Sequence, residues 1–242
     1  MTTKEFSDAF DALLNGYSTQ MNFGDSASIG GMVLDEYEKS LFLTQAQEQI
    51  IVELYTGRND KTSSFEKTEE LRSNLKGLIR TATLTESDED FRGISKYSKF
   101  FILPDDVLFI TYEAATLSDE NAGCKNGTVI SVIPVTQDEF DRVMNNPFRQ
   151  ASKRRALRLD NGLDVAEIVT KYDIKDYTIR YLSKPTPIVL ANLAEVSIDG
   201  VSIDGVDTIT ECKLDSAMHR YILERAVALA IASRGIQNRG NV

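Results

Sequence analysis

The spacing of apolar residues changes twice along this chain of 242 residues, from helical to alternating and back to helical. In the first third, Phe6, Phe10 and Leu13 recur three to four residues apart, which is the period of one helix face. Residues 177–181 alternate between apolar and polar, as on a half-buried strand. Residues 216–234 return to the helical period. Helices first, strands in the middle and a helix last predict an α+β fold class.

Four helices are predicted in the N-terminal third, beginning near residues 5, 32, 44 and 64. Thr3 is placed to cap the first of them, and Gly16 is expected to interrupt its pattern. Thr44 and Gln47 have the spacing of a capping box, so we expect a separate helix to begin there. Residues 81–90 are polar and acidic, which predicts an exposed loop.

The middle of the chain is rich in β-branched and aromatic residues, which favour strands. Strands are predicted at residues 107–117, 128–135, 156–159, 165–170, 172–182 and 188–190, with a short helix between Thr136 and Asn145. The first two are expected to pair as an antiparallel hairpin. The spacing between strands is too short for crossover helices, so the sheet should be mainly antiparallel.

The predicted architecture joins these elements into three regions. A helical region at 1–95, a β-rich domain at 96–210 and a C-terminal helix with its tail at 211–242 are expected. The C-terminal helix should pack back on the N-terminal helices as a helical bundle, with the antiparallel β domain inserted between them. Asp215 is placed to cap that helix and Gly235 to end it.

The inventory of reactive residues excludes most enzymatic chemistry. The chain has two cysteines, Cys124 and Cys212, and one histidine, His219, which are too few for a four-ligand zinc site of Cys and His. His219 lies in a helical stretch, where a packed histidine is a simpler interpretation than a catalytic base. No phosphate-binding glycine loop occurs. We therefore predict no catalytic residue, no metal and no cofactor, although carboxylates are abundant enough to leave a two-carboxylate hydrolase as an alternative.

Charge is unevenly distributed along this acidic chain, which has 37 acidic and 27 basic residues and a net charge of −10. One segment concentrates positive charge without an acidic residue, and contains Arg149, Lys153, Arg154, Arg155 and Arg158. The C-terminal tail adds Arg234 and Arg239. A basic run is either a solvated loop or the place where acidic neighbours dock. If copies of the chain form a ring, one copy's basic segment can meet the next copy's acidic helices, which is a head-to-tail contact.

The order of several motifs resembles the structural ring, or head-to-tail connector, proteins of crAss-like and related short-tailed bacteriophages. The resemblance spans most of the chain and rests on residues 37–47, 65–72, 134–140, 146–148, 177–185 and 210–215. It implies a non-enzymatic virion protein that forms a ring of around twelve copies under the portal. It also implies a channel through which DNA passes without specific binding, and a surface for the next tail protein.

Localisation and the competing functions follow from the same observations. The charged start of the chain lacks the apolar core of a signal peptide, and no run approaches a membrane span, so we expect assembly in the bacterial cytoplasm and no membrane partner. By the resemblance, the tail beyond Gly235 would insert into a groove on the portal. The alternatives are a small-molecule or carbohydrate enzyme that uses carboxylates, and a monomeric cytoplasmic binding module.

Overall fold

The computed structural model describes residues 1–21, 34–56, 73–89, 91–119, 123–124, 126–162, 164–193 and 201–237, and within these the side chains of 18–21 and 234–237 are not described. The chain divides into two compact units. Unit 1 consists of Met1–Leu78 and Pro185–Val242, and unit 2 consists of Ile79–Lys184. The three-region division at 1–95, 96–210 and 211–242 stays a prediction.

The fold is mixed α+β, as the sequence predicts. In chain order its elements are α1 Thr3–Met21, α2 Glu36–Thr56, β1 Ile79–Leu84, β2 Ser98–Ile102, β3 Val107–Leu117, β4 Val129–Pro134, α3 Phe140–Met144, β5 Arg155–Asp160, β6 Val165–Val169, β7 Ile174–Ser183 and α4 Ser216–Gln237. In unit 1, α1 and α2 contact each other and both contact α4. Their buried residues include Phe6, Phe10 and Ile222, which are all under 2% exposed.

Both N-terminal helices begin with a reciprocal capping box, which satisfies backbone N–H groups that no helical carbonyl can reach. Glu5 N–H donates to Thr2 Oγ1 at 3.3 Å, and Thr2 N–H donates to Glu5 Oε2 at 2.8 Å. At α2, Glu38 N–H donates to Asp35 Oδ1 at 2.7 Å, and Asp35 N–H donates to Glu38 Oε2 at 3.2 Å. The cap of α1 is therefore Thr2 rather than the predicted Thr3.

Several predicted helix boundaries are wrong. α1 continues through Gly16 to Met21, and α4 continues through Gly235 to Gln237. The two helices expected near residues 32 and 44 form one helix, α2. A glycine costs only about 1 kcal/mol inside a helix, and most helical stability in proteins comes from tertiary packing, which outweighs that cost. The helix expected near residue 64 begins outside the described residues.

Polar residues in the middle of α2 bind the backbone of an extended segment, residues 186–190, instead of starting a helix. Three side chains that are at most 5% exposed share this role. Ser40 Oγ accepts from Leu190 N–H at 3.0 Å, Thr44 Oγ1 accepts from Ile188 N–H at 3.1 Å, and Gln47 Nε2 donates to Thr186 O at 2.9 Å. The prediction of a strand at 188–190 is wrong: these residues lie against α2 outside the sheet, and Val189 forms an isolated β-bridge with Thr210.

Unit 2 contains a seven-stranded sheet in the order β1-β7-β3-β4-β5-β6-β2. Its pairs are antiparallel except for the parallel pair β4–β5, and the predicted β3–β4 hairpin is confirmed. The prediction of an exposed loop at residues 81–90 is wrong for residues 81–84, because β1 pairs with β7 along Ile79–Leu84. Ser87 N–H donates to Phe100 O at 2.8 Å, so the chain beyond β1 reaches β2 and the sheet is curled.

Alternate residues of the sheet belong to two separate cores. The inner face of the curl buries Phe101, Ile168 and Ile179, while α3 covers Leu157 and Leu159 on the opposite face. Both faces of β5 are therefore buried. This arrangement places the connection between α3 and β5 next to the second core.

A buried carboxylate, Glu167 of β6, binds residues in and just before the edge strand β2. Glu167 is 1% exposed, and it accepts hydrogen bonds from Ile94 N–H at 2.8 Å and from the Ser98 hydroxyl. Gly93 lies directly beside this pair. A Cβ added to Gly93 would be 2.4 Å from Ser98 Cβ and 2.9 Å from Glu167 Oε1.

We expect Gly93→Ala to lower the free energy of unfolding by about 1–3 kcal/mol, because the added methyl group overpacks this site. Urea unfolding of the purified chain measures the change. Gly16→Ala is the control, since a Cβ there meets nothing within 4 Å and lies in a helix. It should raise stability by about 0.5–1 kcal/mol. Equal shifts of the two variants would contradict the close packing at Gly93.

Candidate functional site

The basic residues singled out in the sequence lie in and just after the loop that joins α3 to β5, residues 145–154, which we call the α3–β5 loop. Ala151, within this loop, is 3% exposed and belongs to the core cluster that contains Phe140 and Leu157. The loop is therefore anchored on the face of the sheet that α3 covers. Its remaining residues are mainly exposed or half-buried.

Hydrogen bonds hold the first half of the α3–β5 loop in a defined conformation. Asn146 O accepts from Arg149 N–H at 3.0 Å and from Gln150 N–H at 2.9 Å. Asn146 Oδ1 accepts from Phe148 N–H at 2.9 Å, which is the usual role of Asn in a turn. The Arg155 guanidinium donates to Phe148 O at 3.1 Å. The loop presents its side chains from a fixed backbone.

Three of the five predicted basic residues are presented to solvent. Arg149, Lys153 and Arg154 are exposed. The Lys153 ammonium lies 5.7 Å from the centroid of the Tyr172 ring, a cation–π distance. Arg155 is half-buried, and its hydrogen bonds to loop carbonyl oxygens stabilise the loop. The exposed basic surface of the loop is therefore formed by the first three, which we call the basic triplet.

Arg158 is engaged inside unit 2 rather than presented at its surface. Its side chain is 11% exposed, and its Nε lies 2.9 Å from Oε2 of Glu113, which is 7% exposed. Arg158 also pairs with Asp160. Tyr177 OH donates to Glu113 Oε2 at 2.8 Å. Burial and the Glu113 carboxylate raise the pKa of Tyr177, which keeps this phenol protonated.

The C-terminal candidates, Arg234 and Arg239, are not placed by the described residues. Arg234 lies in α4, but its side chain belongs to the part that is not described, and Arg239 follows the last described residue, Gln237. Their interface role stays a prediction. The tail that was expected to start after Gly235 is shorter than predicted, because α4 extends two residues further.

Phe148 is a feature of the loop that the sequence interpretation missed. Its residue surface is 89% exposed, the largest value among the exposed large hydrophobic residues of the described chain. The sequence interpretation took Asn145-Asn-Pro147 as a helix stop and residues 146–148 as part of the family resemblance, but gave Phe148 no binding role. Aromatic residues, Phe included, are enriched at protein–protein interfaces.

The other reactive side chains form no second site among the described residues. His219 is 6% exposed, its Nε2 lies 3.1 Å from Leu214 O, and burial lowers its pKa. Cys124 and Cys212 are free thiols. Within the same residues, no cluster of three potential metal ligands occurs, and no helix is long and apolar enough to cross a membrane.

Comparison with known proteins assigns the chain to a structural class. The family model described as phage tail ring protein 3/4 matches residues 1–241. The chain therefore belongs to this family of phage ring proteins, which confirms the resemblance predicted from the sequence. Ring protein 3 of Bacteroides phage crAss001 is 48% identical over 235 residues, covering 97% of this chain and 96% of that protein. Ring protein 4/5 of the same phage is 33% identical over 246 residues, covering 96% and 93%.

Proposed function

We propose that this ring protein is a non-enzymatic head-to-tail connector that assembles below the portal and surrounds the path of the genome. Membership of the ring family establishes a structural component of the phage virion that assembles as a ring. The position below the portal, a copy number of around twelve and the absence of catalysis are the proposed parts. The observation that supports the head-to-tail arrangement is the separation of charge between unit 1 and one basic part of unit 2, residues 149–184.

Unit 1 carries 20 acidic and 12 basic residues. Residues 149–184 of unit 2 reverse this balance, with nine basic and five acidic residues. Opposite charges on different parts of one chain favour contact between unlike surfaces of two copies, and suppress contact between like surfaces. A heterologous contact of this kind closes into a ring when its rotation divides a full turn.

The acidic partner in this proposal is the helical surface of unit 1. The described residues 1–21 and 34–56 contain eight acidic residues and only two basic ones, Lys4 and Lys39. Lys39 is already engaged within the unit, since its ammonium lies 2.7 Å from Asp11 and 3.2 Å from Glu36. Glu5 and Asp8 remain exposed on α1. We propose that the basic triplet of one copy faces this surface on the next.

The remaining partners follow from the same arrangement. A net charge of −10 gives DNA little counterion-release gain on contact, so the genome passes through without specific binding. In this proposal α1, α2 and α4 act as a helical bundle, and Arg234 and Arg239 at its C-terminal end face the portal. The opposite side of the ring meets the next tail protein. Assembly takes place in the bacterial host cytoplasm.

We expect replacement of Arg149, Lys153 and Arg154 by Ser to reduce incorporation of the chain into virions by about tenfold or more. One exposed ion pair contributes only about 0.2–1 kcal/mol, but three such pairs act at every junction of the ring. Incorporation is measured by quantitative mass spectrometry of purified particles from cells that supply only the variant.

The matched control replaces three exposed basic residues elsewhere in unit 2, Arg92, Lys96 and Lys175, by Ser. It changes net charge equally, and its incorporation should stay within about twofold of wild type if position rather than total charge matters. Both variants should keep wild-type unfolding curves. Equal incorporation of the two variants would remove the basic triplet from the ring contact.

A further inference from the structure

Phe148 exposes an aromatic side chain on a backbone that is already ordered. Asn146 and Arg155 hold its N–H and C=O groups, so little backbone freedom is lost when a partner binds. Burying a Phe side chain in a partner removes a large apolar surface from water, which stabilises the complex. The residue is 89% exposed in the single chain. Phe148 precedes Arg149 in the chain, so this anchor lies next to a member of the basic triplet.

Unit 1 contains a groove between α2 and α4 that suits such an anchor. The groove has a volume of about 440 Å³, and its lining includes Ile50, Leu54, Tyr221 and Ala228. That volume lies within the range of roughly 300–1,000 Å³ in which proteins bind small ligands, and is large enough for one aromatic side chain. Tyr221 is 62% exposed, so an apolar surface is left uncovered beside the groove.

Charged side chains line the rim of the groove as well. Its lining includes two carboxylates, Glu53 and Glu224, and one guanidinium, Arg225. Arg225 binds both carboxylate oxygens of Glu53, which leaves Glu224 at the edge. Glu224 also meets Arg220, whose side chain is 84% exposed, and an exposed pair of this kind is weak and exchangeable.

We propose that Phe148 of one copy inserts into the α2–α4 groove of the adjacent copy, with Arg149 facing Glu224. The occupant of the groove is thus a second copy of this chain. The proposal deepens the proposed ring function and rests on it. It joins the basic part of unit 2 to the acidic unit 1 of the neighbour, which is the charge arrangement described above.

Site-specific photocross-linking tests this contact in assembled particles. The photoreactive residue p-benzoylphenylalanine replaces Phe148 in the full chain, particles are purified and irradiated, and cross-linked peptides are identified by mass spectrometry. The expected product joins position 148 to α2 or α4 of a second copy and appears as a ladder of chain multimers. A product joined to another virion protein, or to the same chain at monomer mass, overturns the proposal.

A reciprocal probe covers the case in which the substitution at position 148 prevents assembly. The photoreactive residue then replaces Tyr221, and the expected product contains the α3–β5 loop of another copy. Phe148→Ala should reduce incorporation at least about tenfold, as expected for a binding hot spot, while Tyr112→Ala, at another exposed aromatic residue, should not. If wild-type chain forms rings but neither probe gives these products, the groove contact is wrong and the ring function stands. If wild-type chain forms no ring, the proposed function itself fails.

Discussion

Glu113→Ala should lower the free energy of unfolding by about 3–5 kcal/mol, the largest effect expected from a single substitution in this chain. The variant leaves the Arg158 guanidinium, with a side chain only 11% exposed, without its buried carboxylate. It also removes the acceptor of the Tyr177 hydroxyl, which is fully buried. Arg158 Nε lies 2.9 Å from Glu113 Oε2 without forming a hydrogen bond, so the attraction is chiefly ionic.

The double variant Glu113→Leu with Arg158→Met replaces both partners of the ion pair by apolar residues. It distinguishes the cost of an unpaired buried charge from the cost of lost packing. Replacing a buried ion pair by apolar residues of similar size is often neutral or stabilising. The double variant still leaves the buried Tyr177 hydroxyl without its acceptor, so we expect it to lose about 1–3 kcal/mol, less than Glu113→Ala. Urea unfolding followed by circular dichroism gives both values. A Glu113→Ala cost below about 1 kcal/mol would show that water replaces the lost partner.

The second large effect is expected where α2 binds the segment 186–190. Ser40→Ala together with Thr44→Val leaves the N–H groups of Leu190 and Ile188 buried without their acceptors. Each such group costs about 1–3 kcal/mol, so the double variant should lose about 2–6 kcal/mol. The same urea experiment measures this loss.

Thr56→Val is the matched control for this pair. Its hydroxyl donates to Val52 O at an exposed end of α2, so its loss leaves only solvent-accessible groups. Its effect should stay within about 0.5 kcal/mol. If Ser40→Ala with Thr44→Val were as mild as the control, water would have to reach the two backbone N–H groups. The segment would then be held by apolar packing alone.

The types of most elements follow from the sequence, because apolar periodicity reports the number of buried faces. β3 begins and ends at the predicted residues, and the short α3 ends where Asn145 and Pro147 predicted. β1 was missed because its residues alternate weakly, since most of this edge strand is exposed. The stop at Gly235 and the start at Thr44 were wrong because local signals do not report tertiary contacts that override them.

The candidate site was predictable in position but not in detail. A run of basic residues in an acidic chain identifies the α3–β5 loop, whereas alternation along β5 would place Arg158 on a solvated face. The structure buries both faces of β5, so Arg158 becomes an internal partner of Glu113. Phe148 was missed because a single aromatic residue after a turn has no periodic pattern that reveals its exposure.

The central claim is that copies of this chain form the ring that connects head to tail. Electron cryomicroscopy of intact virions, with the chain identified by fitting unit 1 and unit 2 separately into the density, measures this directly. We expect a closed ring of around twelve copies directly below the portal, with the basic triplet at each junction facing unit 1 of the neighbour. Density for the chain away from the portal, or junctions that lack the basic triplet, would contradict the account.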